Sequence, residues 1–316
     1  MPGTEKIASI DIGSNTVLLL IAETDMSNYK IKTIANFYEM PRISKDLKKT
    51  GVISRERKEK LFEVLKKYKR KIAEHNCDKI LVSATNAFRI AKNANEIVSE
   101  IKNKFGFDVN ILSGDEEAKF SFLGATFEFE FDQNALVIDI GGGSTEVIYG
   151  SNENILFKRS FGFGVVSLTE KFITGYPVSE NEIRKISEYV KENFENLTSV
   201  IPFSLFSIAV AGTPTTLSCI KQNLKTYDEN KVEKSILTAD DLRMLLSKLK
   251  VLTPAEVKTN FGSVVAGRED VLLTGTLILA SLTDVLKIEK FHVSGKGIRY
   301  GAIVDYLQRQ TTTQNS

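Results

Sequence analysis

Two stretches of this 316-residue chain carry residue types suited to gripping a phosphate. A-S-I-D-I-G-S-N-T runs from Ala8 to Thr16, and L-V-I-D-I-G-G-G-S-T-E runs from Leu136 to Glu146. Each places an aspartate near the end of an apolar strand, then Ile-Gly, small polar residues and a second strand. Such a hairpin turn displays backbone N–H groups and hydroxyls beside a carboxylate. Gly13, Ser14, Asn15 and Thr16 in the first copy are candidate phosphate donors, as are Gly141, Gly142, Gly143, Ser144 and Thr145 in the second. Asp11 and Asp139 can approach a metal ion or its water shell. A single turn of this kind can be merely a turn. Two copies, each opening an α/β half, imply duplicated domains that clamp an anionic ligand at their interface.

A third glycine turn, Ala209 to Leu217, passes from strand to helix. Gly212 permits close approach, and the helix start offers free N–H groups and the positive end of a dipole, so Gly212 and Thr213 join the phosphate candidates. The same residues also fit an ordinary capped helix, with Thr213 as cap and Pro214 at the first helical position.

The elements that must position these turns alternate between strand and helix. Apolar runs predict strands at Ile7–Ile12, Val17–Ala22 and Tyr29–Phe37. Leu61, Leu65, Tyr68 and Ile72 share one face of a helix over Ser54–His75. A buried strand at Lys79–Ala84, a helix at Asn86–Lys104, a strand at Asp108–Leu112 and a helix from Asp115 follow. The second half opens with strands at Ala135–Ile140, Thr145–Tyr149 and Asn154–Phe161. Helices at Val165–Thr174 and Ser179–Asn196 precede a strand at Leu205–Ala211. Helices at Thr215–Asn223, Ala239–Leu249 and Arg268–Leu286, a strand at Phe291–Ser294 and a helix at Lys296–Leu307 complete it. The terminal T-T-T-Q-N-S is expected to be disordered. No Pro- or Ser-rich linker separates the halves, so residues 126–133 read as a hinge.

Composition narrows the class. With 42% hydrophobic and 26% charged residues the chain reads as a soluble globular protein. A net charge of +2 argues neither for nor against nucleic acid. Nothing aromatic or basic is patterned for base stacking, and no apolar run is long enough to span a bilayer. With no signal-peptide pattern, a cytoplasmic location is expected. Cys77 and Cys219 have no metal or redox spacing and read as buried apolar residues. His75 and His292 likewise have no metal spacing.

The chain resembles the exopolyphosphatase and guanosine pentaphosphate phosphatase family, within the actin and sugar-kinase superfamily. The resemblance rests on D-I-G-S-N-T (Asp11 to Thr16), A-T-N-A-F-R (Ala84 to Arg89), S-G-D-E-E-A-K (Ser113 to Lys119) and D-I-G-G-G-S-T-E (Asp139 to Glu146). It continues through G-T-P-T-T-L (Gly212 to Leu217), G-R-E-D-V-L-L-T-G (Gly267 to Gly275) and G-I-R-Y-G (Gly297 to Gly301). It implies two actin-like, ribonuclease H-like α/β domains with a cleft between them, in the short two-domain form. Their expected limits are residues 1–128 with about 300–316, and 129–299.

The resemblance implies hydrolysis of a terminal phosphoanhydride in polyphosphate or guanosine pentaphosphate, with Mg2+ held at Asp11 and Asp139. By motif matching, Glu117 is the catalytic base, Glu146 assists the metal or water, and Arg89 and Arg268 contact phosphate. Each has a plainer alternative. Ser113 to Glu116 spell a capping box, so the acidic pair can be helix-start chemistry. Adjacent helical residues point about 100° apart, so Glu116 can cap while Glu117 faces elsewhere. Glu146 can be a solvated strand residue, Arg89 an exposed helix-start arginine, and Arg268 a solvated cation at the start of a long helix.

Two departures bear on substrate. Leu18 stands where many relatives carry arginine or another polar or aromatic residue, and Ser167 where an arginine is common, which tilts the expectation toward inorganic polyphosphate. The basic stretch from Arg42 to Lys71 would draw a polyanion, or is simply the solvated face of its helix. A phosphotransferase of the same fold, or a nucleotide-binding filament protein without turnover, is the alternative. No nucleic acid or membrane partner is expected; a homodimer is, since relatives are often dimers.

Overall fold

The computed structural model describes residues 4–25, 30–132, 134–151, 154–203 and 205–314. The chain divides into two units, Met1–Phe127 with Gly297–Ser316, and Glu128–Lys296. Strands of the first unit are β1 (Thr4–Ile12), β2 (Val17–Asp25), β3 (Lys30–Glu39), β4 (Lys79–Ala84) and β5 (Val109–Ile111). Those of the second are β6 (Ala135–Ile140), β7 (Thr145–Gly150), β8 (Ile155–Phe161), β9 (Phe206–Val210), β10 (Ile236–Thr238) and β11 (Lys290–Ser294). Helices run in order as α1 (Leu47–Thr50), α2 (Arg55–Glu74), α3 (Asn86–Ile90), α4 (Ala94–Phe105), α5 (Gly114–Thr126), α6 (Val165–Phe172) and α7 (Glu180–Phe194). They continue as α8 (Gly212–Lys221), α9 (Glu229–Val232), α10 (Ala239–Leu249), α11 (Pro254–Phe261), α12 (Leu272–Leu286) and α13 (Ile298–Gln314). The fold is α/β with two mixed sheets, the class expected from the sequence. No helix among the described residues is long and apolar enough to cross a membrane.

Both sheets open with the same device. In the first unit β1, β2 and β3 form an antiparallel meander, and β4 then β5 add parallel to β1, giving the order β3-β2-β1-β4-β5. In the second, β6, β7 and β8 repeat the meander, β9 and β11 add in parallel, and β10 closes the edge, giving β10-β11-β9-β6-β7-β8. Ligands of open α/β sheets bind outside the carboxyl ends of parallel strands. Those ends are where β1, β4 and β5, and separately β6, β9 and β11, release the turns picked out by sequence.

β1 is an apolar run because it is covered on both faces. Ala8, Ile10 and Ile12 pack with Leu61, Leu65 and Tyr68 of α2 and Ile97 and Ile101 of α4. Ile7, on the opposite face, packs with Tyr300, Ile303 and Leu307 of α13. Full burial of each such side chain contributes about 1.5–3 kcal/mol. The second unit buries Leu136, Ile138 and Ile140 of β6 in one cluster with Ile186, Val190 and Phe194 of α7 and Leu277, Ile278 and Leu282 of α12.

Helix α13 crosses α5 with their backbones in contact. A Cβ at Gly301 would lie 1.8 Å from the Phe120 carbonyl oxygen, and one at Gly124 would lie 2.1 Å from that of Gly297. Gly124 of α5 and Gly301, the last residue of the G-I-R-Y-G motif, are therefore packing glycines: α13 can lie on α5 only where these side chains are missing. Asp305 of α13 reinforces the seam, accepting from Lys119 of α5 at 2.6 Å and pairing with Arg309 at 2.7 Å.

The structure corrects several sequence expectations. The helix expected over Asn86–Lys104 is two helices, because Ala91 is extended and the Asn93 amide bridges out to Ile53, accepting from its N–H at 3.0 Å and donating to its carbonyl at 2.9 Å. The long apolar helix begins at Leu272, so Arg268 precedes it rather than starting it. The last helix begins at Ile298 and continues to Gln314, so Thr311–Gln314, expected to be disordered, are helical; Asn315 and Ser316 lie outside the described residues. The first half of β4 is not buried. Tyr29, expected in the third strand, and Gln133, in the expected hinge, also lie outside the described residues.

Candidate active site

In the first unit three neighbouring strand ends deliver three candidate groups. β1 ends into the turn Gly13–Thr16, β4 into α3, and β5 into α5. Thr85 N donates to Ile12 O at 3.2 Å and Leu112 N to Ala84 O at 2.9 Å, which keeps these exits side by side. Ser113 caps α5 as a complete capping box: its Oγ accepts from Glu116 N at 3.2 Å, while its N–H donates to Glu116 Oε2 at 2.9 Å. That backbone bond and the Ser113 hydroxyl hold the Glu116 carboxyl below its usual range. Glu116 is thus committed to the cap, and Glu117 points elsewhere.

Glu117 is 5% exposed. A carboxylate so deeply placed needs a partner, and Arg89 of α3 supplies it: Nη1 donates to Glu117 Oε2. The same nitrogen donates to the Leu112 carbonyl at 2.9 Å, one residue before the α5 cap. Arg89 is accordingly not an exposed helix-start arginine. The structure brings together two residues placed 28 apart in sequence, one expected to touch phosphate and the other to activate water.

Both hairpin turns close in the same way. Gly13 N donates to Thr16 O at 3.0 Å, and Gly141 N to Ser144 O at 3.0 Å. A Cβ at Gly13 or Gly141 would come within 3.0 or 3.1 Å of that closing carbonyl, which explains a glycine at the first position of each turn. The remaining residues are aimed by a backing segment. In the second unit Val165 N donates to Gly141 O at 3.0 Å, and Val166 N to Gly142 O at 2.8 Å. A trans peptide sets each N–H opposite the preceding carbonyl, so the N–H groups of Gly142 and Gly143 face away from α6. In the first unit Ser44 N and Arg42 N each bond at 3.1 Å to the carbonyls of Ser14 and Asn15, turning the Asn15 and Thr16 N–H groups the other way. Ser14 Oγ and Asn15 Oδ1 are buried with no hydrogen-bond partner among the described residues. Each turn therefore has a glued face and a donor face.

The carboxylates at the roots of the two turns differ in their company. Asp139 of β6 lies directly opposite Glu146 of β7, so the two project from the same face of the sheet. At the same register in the first unit, Asp11 faces Leu18 on one side and Ser83 on the other. Asp11, Asp139 and Glu146 are all buried. Glu146 is thereby removed from the solvated face; Ser160 of β8 donates its hydroxyl to Glu146 Oε1 at 2.6 Å. Two opposed, buried carboxylates thus lie at the root of the second turn.

The third turn is not an ordinary capped helix. Its N-cap is Ala211, with φ at 75° and no side-chain cap bond. Thr213 packs against Gly275 of α12 instead, since a Cβ there would meet Thr213 Oγ1 at 2.3 Å. Arg268 lies flat on Gly212, where a Cβ would be 2.4 Å from Nε. Thr145 is directed away from its turn, donating its hydroxyl to Phe163 O at 2.9 Å. Thr145 and Thr213 are thus spent on packing, whereas Gly212 and Arg268 meet.

Sequence reading missed the backing residues. Gly164 is one: a Cβ there would lie 2.3 Å from Gly141 O. The doubled F-G-F-G at Phe161–Gly164 was the available signal. The basic stretch behaves mainly as a solvated helix face, with Lys58, Lys60, Lys67 and Lys71 each paired to a carboxylate. Cys219 is buried, which pushes its thiol up to about 11, and Cys77 is half-buried.

The sequence pattern of the Ppx/GppA phosphatase family matches residues 20–310. A bifunctional 3-dehydroquinate synthase/phosphatase of Fusobacterium nucleatum subsp. nucleatum is 33% identical over 314 residues, 96% of this chain, and the chain spans about half (47%) of that relative's length. Exopolyphosphatase 2 of Mycobacterium tuberculosis is 26% identical over 292 residues, covering 89% of this chain and 91% of its own. The crystal structure of an Aquifex aeolicus Ppx/GppA family member matches with a TM-score of 0.84 at 28% identity, covering 98% of this chain and 99% of its own.

Proposed function

The chain belongs to the Ppx/GppA phosphatase family, and from that premise we propose that it releases the terminal phosphate of inorganic polyphosphate or guanosine pentaphosphate. The observation that carries this reading is the repeated hairpin, glued on one face and donating on the other, with a buried aspartate at each root. Fixed N–H donors stabilise charge on phosphoryl oxygens at no reorganisation cost. Glu117, held by Arg89, takes a proton from water as the water oxygen attacks the terminal phosphorus. The bond to the bridging oxygen breaks, and that oxygen leaves on the shortened chain. Arg89 and Arg268 contact the phosphates, and Glu146 orients the attacking water or would assist the cation.

Magnesium fits the donor set. Among the described residues no group of three or more His, Cys, Asp or Glu could hold a metal alone. Mg2+ does not need such a cage, because it keeps several waters and binds through one or two carboxylates plus substrate phosphates. Asp139 and Asp11 would hold it, and it would neutralise charge on the phosphate oxygens. Inorganic polyphosphate is the preferred substrate in this proposal. Leu18 brings no cation beside Asp11, and Ser167 accepts from Gly164 N at 2.9 Å as a helix-capping residue. A cytoplasmic, homodimeric protein is part of the same proposal.

Phosphate release from polyphosphate, guanosine pentaphosphate and ATP, each with magnesium or with chelator, tests the reading. Magnesium-dependent release from polyphosphate is the expected result. Release from none of the three refutes it, and transfer to an added acceptor in place of water would establish the phosphotransferase.

A further inference from the structure

Arg89 has more donors than its contacts use. Both hydrogens of Nη1 are committed, one to the Leu112 carbonyl and one to Glu117. A guanidinium has five N–H donors in a rigid fork, so Nη2 and Nε retain three. Among the described residues no acceptor meets them. The side chain is 22% exposed, so it is not sealed off from solvent. Leu112 precedes the capped start of α5, so one guanidinium fixes both the loop that launches the helix and the carboxylate on its first turn.

We propose that Arg89 is the positioning residue of Glu117: its Nη1 edge locks the base, while its other edge takes an oxygen of the phosphoryl group under attack. This rests on the hydrolase reading above and goes beyond it. The residue aligning the base is also the one that senses the phosphate, so water activation is tied to the presence of the group to be cut. A plain phosphate contact would serve binding alone. A bridge of this kind serves turnover, because a misdirected base costs rate even when substrate is bound.

The test compares Arg89→Ala, Arg89→Lys and Arg89→Ala/Glu117→Gln with the unmodified chain on long-chain polyphosphate with magnesium. Arg89→Ala is expected to lose about 100-fold in kcat, with KM held within about threefold because other donors bind the chain. Added guanidinium ion should restore part of the turnover of Arg89→Ala and none of that of the double variant, since rescue works only through Glu117. Lysine keeps the charge but cannot serve two edges, so Arg89→Lys should remain impaired in kcat. A raised KM with kcat retained overturns the proposal, as does guanidinium rescue without Glu117. If Arg89→Ala does not fold, Arg89→Lys decides: near-normal kcat overturns the proposal and a selective kcat loss upholds it. An unmodified chain without hydrolysis would refute the hydrolase reading. Coupling of Arg89 and Glu117 in a stability double-mutant cycle would remain measurable and would report the lock separately.

Discussion

Substituting Gly301 by alanine tests how the fold sets the position of Glu117. The added Cβ would lie 1.8 Å from the Phe120 carbonyl oxygen, 2.5 Å from its carbon and 2.7 Å from its Cα. Ordinary contact requires about 1.5 Å more separation. All three atoms are helix backbone, so no rotamer change relieves the clash and α5 must shift against α13. Phe120 lies on the turn after Glu117, so the shift carries the carboxylate with it. Overpacking of this kind costs about 1–3 kcal/mol. A displacement of about 1 Å at a reacting group costs about 100-fold in rate. Thermal unfolding and kcat on polyphosphate should therefore both fall. Gly175→Ala, where a Cβ meets nothing within 4 Å, should leave both unchanged. A Gly301→Ala protein with ordinary stability and turnover would refute the claim that the α5–α13 seam holds the base in place.

Two further perturbations read separate parts of the account. Ser113→Ala removes the α5 cap and should cost about 0.5–2 kcal/mol in urea unfolding; no loss would mean the capping box is idle. Burial lowers the pKa of His292, which stacks on Phe206 with ring centroids 4.4 Å apart. Its folded-state pKa lies below its unfolded one, so the unfolded chain binds the extra proton. Stability should then be present in full above about 6.5 and decline as pH falls through the window below it. His292→Phe should flatten that decline below about pH 6.5; an unchanged slope would remove His292 as the cause.

What the sequence disclosed follows how local each feature is. β1 and β6 were readable because both are continuous apolar runs, and the paired D-I-G turns because the motif is written twice. The Ser113–Glu116 box was readable because a cap is completed within four residues. The break at Ala91–Asn93 was not: no Gly or Pro marks it, and its cause is an amide bonded to Ile53, forty residues away. Helix α11 was overlooked despite a visible signal, the Thr253-Pro254-Ala255-Glu256 cap with proline at the helix start. β10 is three residues long and exists only by pairing with β11. At the candidate site, Asp11, Asp139, Gly13 and Gly141 were legible as turn chemistry. The Arg89–Glu117 lock was not, because strand order alone brings the two together. Nor was the burial of Glu146, which follows from its pairing between Asp139 and Ser160.

The central claim is that a phosphoanhydride is cut by water activated at Glu117. Phosphate release from polyphosphate by the unmodified chain and by Glu117→Gln, with polyphosphate binding measured on both, addresses it most directly. Comparable binding with turnover lowered by about 100-fold or more in the variant is the predicted result. Near-normal hydrolysis by Glu117→Gln would contradict it.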